Sequence, residues 1–424
     1  MRLTTRTAYT GNDIAAPLDA PDAPAPWSPR FDQVLDLLVE GIRISPAREG
    51  PCPGEQVAGR ARSAGGYRRT RHCRRTRGVA VEDGVTAAPA DDGAFGALLE
   101  RHRWELRVHC YRMLGSYDDA EDVVQEAFLR AWRGRETYEG RSTFRAWLYR
   151  IATNACLDLI DRDRRRASPH RVPPLVGSDA ATAPPADVPW LQPVPDRLLE
   201  PVSHEAEPAA AAVARETVEL AFLVAIQQLP ARQRAVLITR DVLGWPAAET
   251  AALLETSVAS VKSALQRARA TLRRHLPPRR DEWAASGEPD AGERALLRRY
   301  VEAHQRADLD ALAGLLAEDV RVTMPPHPAW LAGRDALVAL TGQVFDRGSP
   351  LYHGRWRGVP TRANLQPAVA YYAQYPTAEE TRDLTGEYRA QVLDVLRIDG
   401  GRVTAITSFE PRRFEAFGLP LVLP

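Results

Sequence analysis

Three stretches of this sequence hold side chains whose types and spacing could act on a partner. In the first, Asp118, Asp119, Glu121, Asp122, Gln125 and Glu126 share one short window that contains no base. Carboxylates this close repel one another, so the cluster suits a basic partner surface, although a merely solvated helix face would have the same composition. In the second, Tyr138, Ser142, Thr143, Phe144, Arg145, Trp147, Tyr149, Arg150, Asn154 and Arg162 interleave rings, hydroxyls, an amide and guanidinium groups. Rings beside cations can stack on unpaired nucleic-acid bases, each stack worth roughly 1–3 kcal/mol. The same spacing is equally compatible with Phe144 and Trp147 in a core, and Asn154 either reads a base edge or bonds to its own helix. In the third, residues 256–280, Lys262, Arg267, Arg269, Arg273, Arg274, Arg279 and Arg280 are accompanied by no acid. With Thr256, Ser257, Ser260, Ser263 and Gln266 among them, one helix face could reach base edges and phosphates of a duplex. The alternative is an αα-hairpin with a solvated basic face.

The elements that must position these groups follow from periodicity. Phe95, Leu98, Leu99, His102, Leu106, His109 and Met113 recur at helical spacing from about Asp91 onward. Gly115-Ser116 breaks that helix, and Ser116 with Asp119 three residues on resembles a capping box. Over 117–132, Ala120, Val123, Val124, Ala127, Phe128 and Ala131 form one apolar stripe, which puts the carboxylates on the opposite face. After a break at 134–140, Ser142 is placed to cap a helix with Leu148, Ile151, Ala155 and Leu159 inside, leaving Arg145, Tyr149, Arg150, Asn154 and Arg162 outside. Residues 247–254, the turn Glu255-Thr256-Ser257 and residues 258–272 fit a helix-turn-helix whose small alanines allow a close crossing.

The 424 residues are too many for one ordinary domain. A net charge of +1 excludes a globally basic protein but not a DNA-binding one, because the charge is segregated along the chain. The four cysteines have no metal-ligand spacing, so neither a metal nor another cofactor is expected, and Cys110 and Cys156 read as buried thiols. No apolar run approaches the roughly 20 residues that span a bilayer, no secretory leader is signalled, and a cytoplasmic, membrane-free protein is the expectation. Residues 1–91 are rich in Pro, Ala, Gly and Arg, with one candidate helix at 31–42 and an arginine cluster at 60–77, and they read as a low-complexity extension. A helical block at 92–166 is followed by a Pro/Ala-rich tether at 167–214, in which Trp190-Leu191 and Leu198-Leu199 are apolar islands. A second helical block covers 215–278 and a polar linker 279–291. Over 292–415, helices at 293–306, 309–316 and 334–344 and strands at 320–324, 354–364, 368–374, 388–398 and 402–409 predict an α+β domain with a bent antiparallel sheet, before a tail at 416–424.

Together the two helical blocks resemble RNA polymerase sigma factors of the extracytoplasmic-function type. The run Asp118-Asp-Ala-Glu-Asp-Val-Val-Gln-Glu-Ala-Phe128 is similar to the region 2 helix that binds the polymerase clamp, and Phe144-Arg-Ala-Trp-Leu-Tyr-Arg-Ile-Ala-Thr-Asn154 to the segment that melts and reads the −10 element. The stretch Gln228-Leu-Pro-Ala-Arg-Gln-Arg-Ala-Val-Leu237 with the helix-turn-helix is similar to region 4, which reads the −35 element. The resemblance implies two all-α modules, core polymerase (clamp and flap) and promoter DNA as partners, and a protein that is not an enzyme; it leaves an anti-sigma partner open. Residues 292–415 resemble the SnoaL-like group of the NTF2 superfamily, through Met324-Pro-Pro-His-Pro-Ala-Trp-Leu-Ala-Gly-Arg-Asp335 and Arg402-Val-Thr-Ala-Ile-Thr-Ser-Phe409. That implies a cone-shaped fold able to modulate the sigma module in cis, with His327, Trp330, Tyr352, Trp356 and Tyr372 as candidates for a small-molecule pocket, each equally at home in a core. His353 and Asp394 are further polar candidates for its wall, with no spacing that brings them together. Two rivals remain at this level: a ligand-sensing helix-turn-helix regulator, and a SnoaL-like cyclase or isomerase fused to a DNA-binding module.

Overall fold

A computed structural model describes residues 91–138, 142–163, 188, 190–199, 218–276, 291–326, 330–374 and 386–424. The candidate helix at 31–42, the arginine cluster at 60–77 and His327 lie outside the described residues. Helix α1 (Asp92–Leu114) begins where Asp91 accepts the Ala94 N–H at 2.7 Å and ends at Gly115, whose φ of 73° is the left-handed turn that stops a helix. Helix α2 (Tyr117–Arg133) starts at Ser116, which accepts the Asp119 N–H at 3.3 Å. Helix α3 (Phe144–Arg162) is capped by Thr143, at 3.2 Å from the Ala146 N–H, and not by Ser142: one residue of register decides which hydroxyl faces the free amides. The apolar stripes of these three helices close one bundle, with Phe95, Leu106, Val124, Ala127, Phe144 and Leu148 at its centre.

Helices α4 (Leu220–Gln227) and α5 (Ala231–Leu237), the latter continued by a wider turn over Ile238–Val242, precede α6 (Ala247–Leu253) and α7 (Val258–His275). The turn between α6 and α7 passes through Glu255 at φ 51°. Ala251, Leu253 and Leu254 meet Val261, Leu265 and Ala268 beneath it.

The C-terminal domain comprises α8 (Ala291–Gln305), α9 (Leu309–Leu315), β1 (Leu316–Thr323), β2 (Trp330–Ala332), α10 (Arg334–Phe345), β3 (Arg355–Ala363), β4 (Gln366–Gln374), β5 (Tyr388–Asp399), β6 (Arg402–Phe409) and β7 (Val422–Leu423). Strand order is β2-β1-β6-β5-β4-β3, with β7 beside β5. The sheet is mixed, not wholly antiparallel as expected, because β6 returns after the long excursion through α10 and β3–β5 to run parallel to β1. Alternation along the strands gives two apolar faces. Val369, Tyr371, Leu396 and Ile406 pack under α8–α10, whereas Ala368, Ala370, Tyr372, Leu393, Val395 and Phe409 belong to the same core as the two helical blocks.

Candidate functional site

Helix α2 carries the acidic cluster, yet much of its charge is answered from elsewhere in the chain. Glu121 pairs with Arg107 of α1, Glu126 with Arg130 at 2.8 Å, and Asp118 with Arg413 in the turn Pro411–Phe417. Gln192 of the tether holds Asp118 as well, donating to its carboxylate and accepting its backbone N–H, each at 3.0 Å. Asp122 and Gln125 stay exposed, and Asp119 is half-buried at the cap. The repulsion legible in the sequence is thus relieved in part by bases that are distant in sequence and near in space.

Helix α3 divides its candidates by burial. Ser142, Thr143, Arg150 and Arg162 are exposed, and Asn154 is half-buried. Tyr138, Phe144 and Trp147 are buried in one aromatic cluster, with centroids 5.3 to 5.6 Å apart. Tyr149, expected on the outer face, is closed off as well. Its hydroxyl donates to Glu105 at 3.1 Å, and its ring lies 5.1 Å from Trp245, just ahead of α6. Arg145 pairs with the same Glu105 at 2.6 Å. Burial acts to raise the Glu105 pKa, but the His102 bond and the charge of Arg145 prevail and hold it below its ordinary value. Next to it, burial and then the charge of Arg112 push the His109 pKa down to about 3, so the imidazole is neutral where it meets Thr153 at 2.9 Å.

Helix α7 is the opposite case. Ser257, Ser260, Lys262, Ser263, Gln266 and Arg267 are all exposed on one face and Thr256 is half-buried, while Val261, Leu265 and Ala268 secure the other. Ser257 has a second duty as the helix cap, accepting the Ser260 N–H at 3.1 Å. Val258 is an exposed apolar side chain at the start of this face, missed because its spacing reads as core. Arg269 is committed to Asp241 through two bonds of 2.8 and 2.5 Å.

The two helical blocks are bolted together by polar groups. The buried Arg234 guanidinium donates to the carbonyls of Met113, Ile226, Gln227 and Leu229, and Gln227 donates to the Arg112 carbonyl at 3.0 Å. A cation there satisfies carbonyls left over at the ends of α1 and α4. The described part of the tether joins this body and is not a free spacer: Leu191, Val194 and Leu199 are buried.

The tight turn between β3 and β4 enters the same joint. Asn364 and Leu365 both have positive φ, of 55° and 62°, and Asn364 is fully buried. Its Nδ2 donates to the Tyr111 hydroxyl at 2.7 Å and the Val218 carbonyl at 2.6 Å, and its Oδ1 accepts the Val194 N–H at 2.9 Å. Beside it, Gln366 accepts the first free amide of α4 at 3.0 Å, and Asp196 pairs with Arg362 at 2.6 Å. Glu219, adjoining α4, is buried, and that burial pushes its pKa up to about 8 against the opposing charge of Arg397. Of these groups, only the tether's apolar islands had a sequence signal.

In the C-terminal domain, Trp330 and Tyr352 are buried and Trp356 is half-buried. Tyr372 does not join Trp356, because strand alternation sends it to the opposite face, where it packs on Phe414 at 5.4 Å and donates to the Pro420 carbonyl at 2.9 Å. His353 stacks on Trp356 with centroids 6.0 Å apart. Ser408 donates to Asp394 at 2.6 Å, and burial, resisted by that bond, raises the Asp394 pKa to about 6. Among the described residues there is no helix long and apolar enough to cross a membrane and no cluster able to hold a metal ion.

Residues 98–166 match the family model of sigma-70 region 2, residues 219–272 that of sigma-70 region 4, and residues 297–406 that of the SnoaL-like domain. The ECF RNA polymerase sigma factor SigG of Mycobacterium tuberculosis (strain ATCC 25618 / H37Rv) is 40% identical over 336 residues, which is 78% of this chain and 86% of that protein. SigM of the same strain is 34% identical over 188 residues, 44% of this chain and 79% of the relative. The solved structure of Mycobacterium tuberculosis SigJ covers 77% of this chain and 99% of its own, at 23% identity and a TM-score of 0.48.

Proposed function

Because the chain belongs to the extracytoplasmic-function RNA polymerase sigma factors, with regions 2 and 4 ahead of a SnoaL-like domain, we propose that its two DNA-facing helices are presented unequally and that the C-terminal domain sets the difference. Helix α7 holds the −35 duplex with Lys262 and Arg267 on phosphates or guanines and Ser260, Ser263 and Gln266 on base edges, and Val258 suits a thymine methyl. Helix α2 takes core polymerase on Asp118, Asp122, Gln125 and neighbouring carboxylates. Helix α3 opens and reads the −10 element, starting from Ser142, Thr143, Arg150, Asn154 and Arg162, with the Tyr149 ring released only when Trp245 moves away.

One observation carries the cis-acting part: Asn364 of the C-terminal domain is bonded at once to region 2, the tether and the start of region 4. Three buried polar partners in one place hold a defined geometry, since leaving any of them unpaired costs about 1–3 kcal/mol. Arg413 adds a contact to Asp118 on the polymerase-facing helix. Chain ending after Leu276 is expected to pull down core polymerase as the full chain does, but to give a different run-off transcript yield from the same promoter. Equal yields from the two forms would overturn modulation in cis.

A further inference from the structure

Glu105, on α1, reaches the first two turns of α3 and bonds to two of the residues expected from sequence to contact the −10 strand. Its Oε2 accepts from Arg145 Nε at 2.6 Å and from the Tyr149 hydroxyl at 3.1 Å. Its Oε1 meets His102 Nδ1 at 2.5 Å. Burial acts against its charge, but the His102 bond and the charge of Arg145 prevail, so the carboxyl is ionised.

A carboxylate in that place works against an anionic ligand. The first turn of α3 otherwise suits the phosphate of a nucleic-acid strand. It holds no acidic residue, it carries the positive end of the helix dipole, and Arg145 lies within it. Nor does packing call for the charge, since a neutral amide of the same shape could accept from Arg145 and Tyr149 alike.

The partners of Glu105 differ in how easily they part from it. His102 and Tyr149 are buried, whereas Arg145 is half-buried. The Arg145 guanidinium lies 5.0 Å from the Tyr149 ring and 5.9 Å from the Trp245 ring, so it sits where region 4 meets α3. When Arg145 swings outward, Glu105 keeps His102 and Tyr149, and no bare charge is left behind. The exchange is therefore of one anion for another on the same guanidinium.

We infer that Glu105 is a positioning residue that withholds Arg145 from the −10 strand, and that a backbone phosphate of the unpaired strand displaces its carboxylate from the Arg145 guanidinium. This inference rests on the reading of α3 as the −10 helix and adds to it the group that the strand must displace. A strand that brings no phosphate to the start of α3 gains nothing from Arg145.

Binding of fluorescein-labelled oligothymidine, about 12 nucleotides long, to the full chain by anisotropy tests the exchange, because stacking and phosphate contacts need no promoter sequence. Glu105→Gln keeps the shape and the acceptor and removes the charge. It is expected to bind about tenfold tighter at low salt, and the gain is expected to vanish when Arg145→Gln is added. Arg145→Gln alone is expected to bind about threefold more weakly than the parent chain. It should also flatten the slope of log affinity against log salt by about 0.7, the contribution of one phosphate on a single strand. In the parent chain the Arg145 Nε–H resonance is expected to move on addition of oligothymidine, which follows the exchange without any substitution. No gain from Glu105→Gln, or an unmoved Arg145 resonance, overturns the withholding role. A gain that survives Arg145→Gln overturns it too, since a loosened bundle would then be the cause. If Arg145→Gln alone changes neither affinity nor salt slope, Arg145 does not meet the strand, and it is the reading of α3 that fails.

Discussion

Helices α3 and α7 are both rich in arginine and hydroxyl groups, yet one is folded inward and the other is ready. In α7 the polar row stands free because alanine, valine and leucine on the reverse face satisfy its packing within a short helical hairpin. In and just before α3 the aromatic residues are too large to stay in water when a hydrophobic neighbour is at hand, so Tyr138, Phe144 and Trp147 close into the bundle and Tyr149 packs against Trp245. A surface that reads a duplex can be built locally. The surface proposed to capture unpaired bases instead has its rings buried in this fold.

The comparison breaks first on DNA capture. Lys262→Ala combined with Arg267→Ala is expected to weaken holoenzyme binding to duplex promoter DNA about a hundredfold, whereas Arg150→Ala with Arg162→Ala costs less than about threefold in the same gel-shift titration. A larger loss from the α3 pair would reverse the assigned order of engagement. A smaller but sharper test is Asn364→Ala, which strips three side-chain bonds from the joint. The joint is expected to open more often, with proteolysis between the two helical blocks about tenfold faster and run-off transcription altered in the same direction as by truncation. In that background the α3 charges should begin to matter for promoter binding. Unchanged proteolysis would remove the hairpin from the account.

The smallest effect expected is on pH, and it separates the two regions by sign. The Glu105 pKa is lowered in the folded region 2 bundle, so its contribution is present above the unfolded value and lost as pH falls. The Glu219 pKa is raised to about 8 beside region 4, so its contribution is full below the unfolded carboxylate value and lost as pH rises towards 8. Glu219→Gln should therefore raise the melting temperature by about 5 °C at pH 8.5 and by less than about 1 °C at pH 5. An equal shift at both pH values would mean that the carboxyl does not titrate in that window.

Local patterns carried far in this chain because helices and hairpins announce themselves locally. The stripe Ala120–Val123–Val124–Ala127–Phe128 and the turn at Asp399-Gly400-Gly401 were legible, and both elements stand where expected. The helix-turn-helix was legible for the same reason, since its two faces differ in composition. The joint was not: Asn364, Gln192, Asp196 and Arg413 are single polar residues in loops and short helical turns, with no periodicity to mark them and partners up to 295 positions away. The pocket expectation failed at Tyr372 because adjacent strand residues face opposite ways, and composition does not say which face encloses a cavity.

The sequence by itself determined the modules, their order and the polar row along α7, because those depend on spacing within one helix or strand. Tertiary structure decided which charges are already answered, that the rings of α3 are withheld, and that a hairpin of the last domain closes the joint between the first two. Those outcomes depend on which desolvated groups find partners across the fold, and a polar side chain in a loop carries no record of the partner it will meet.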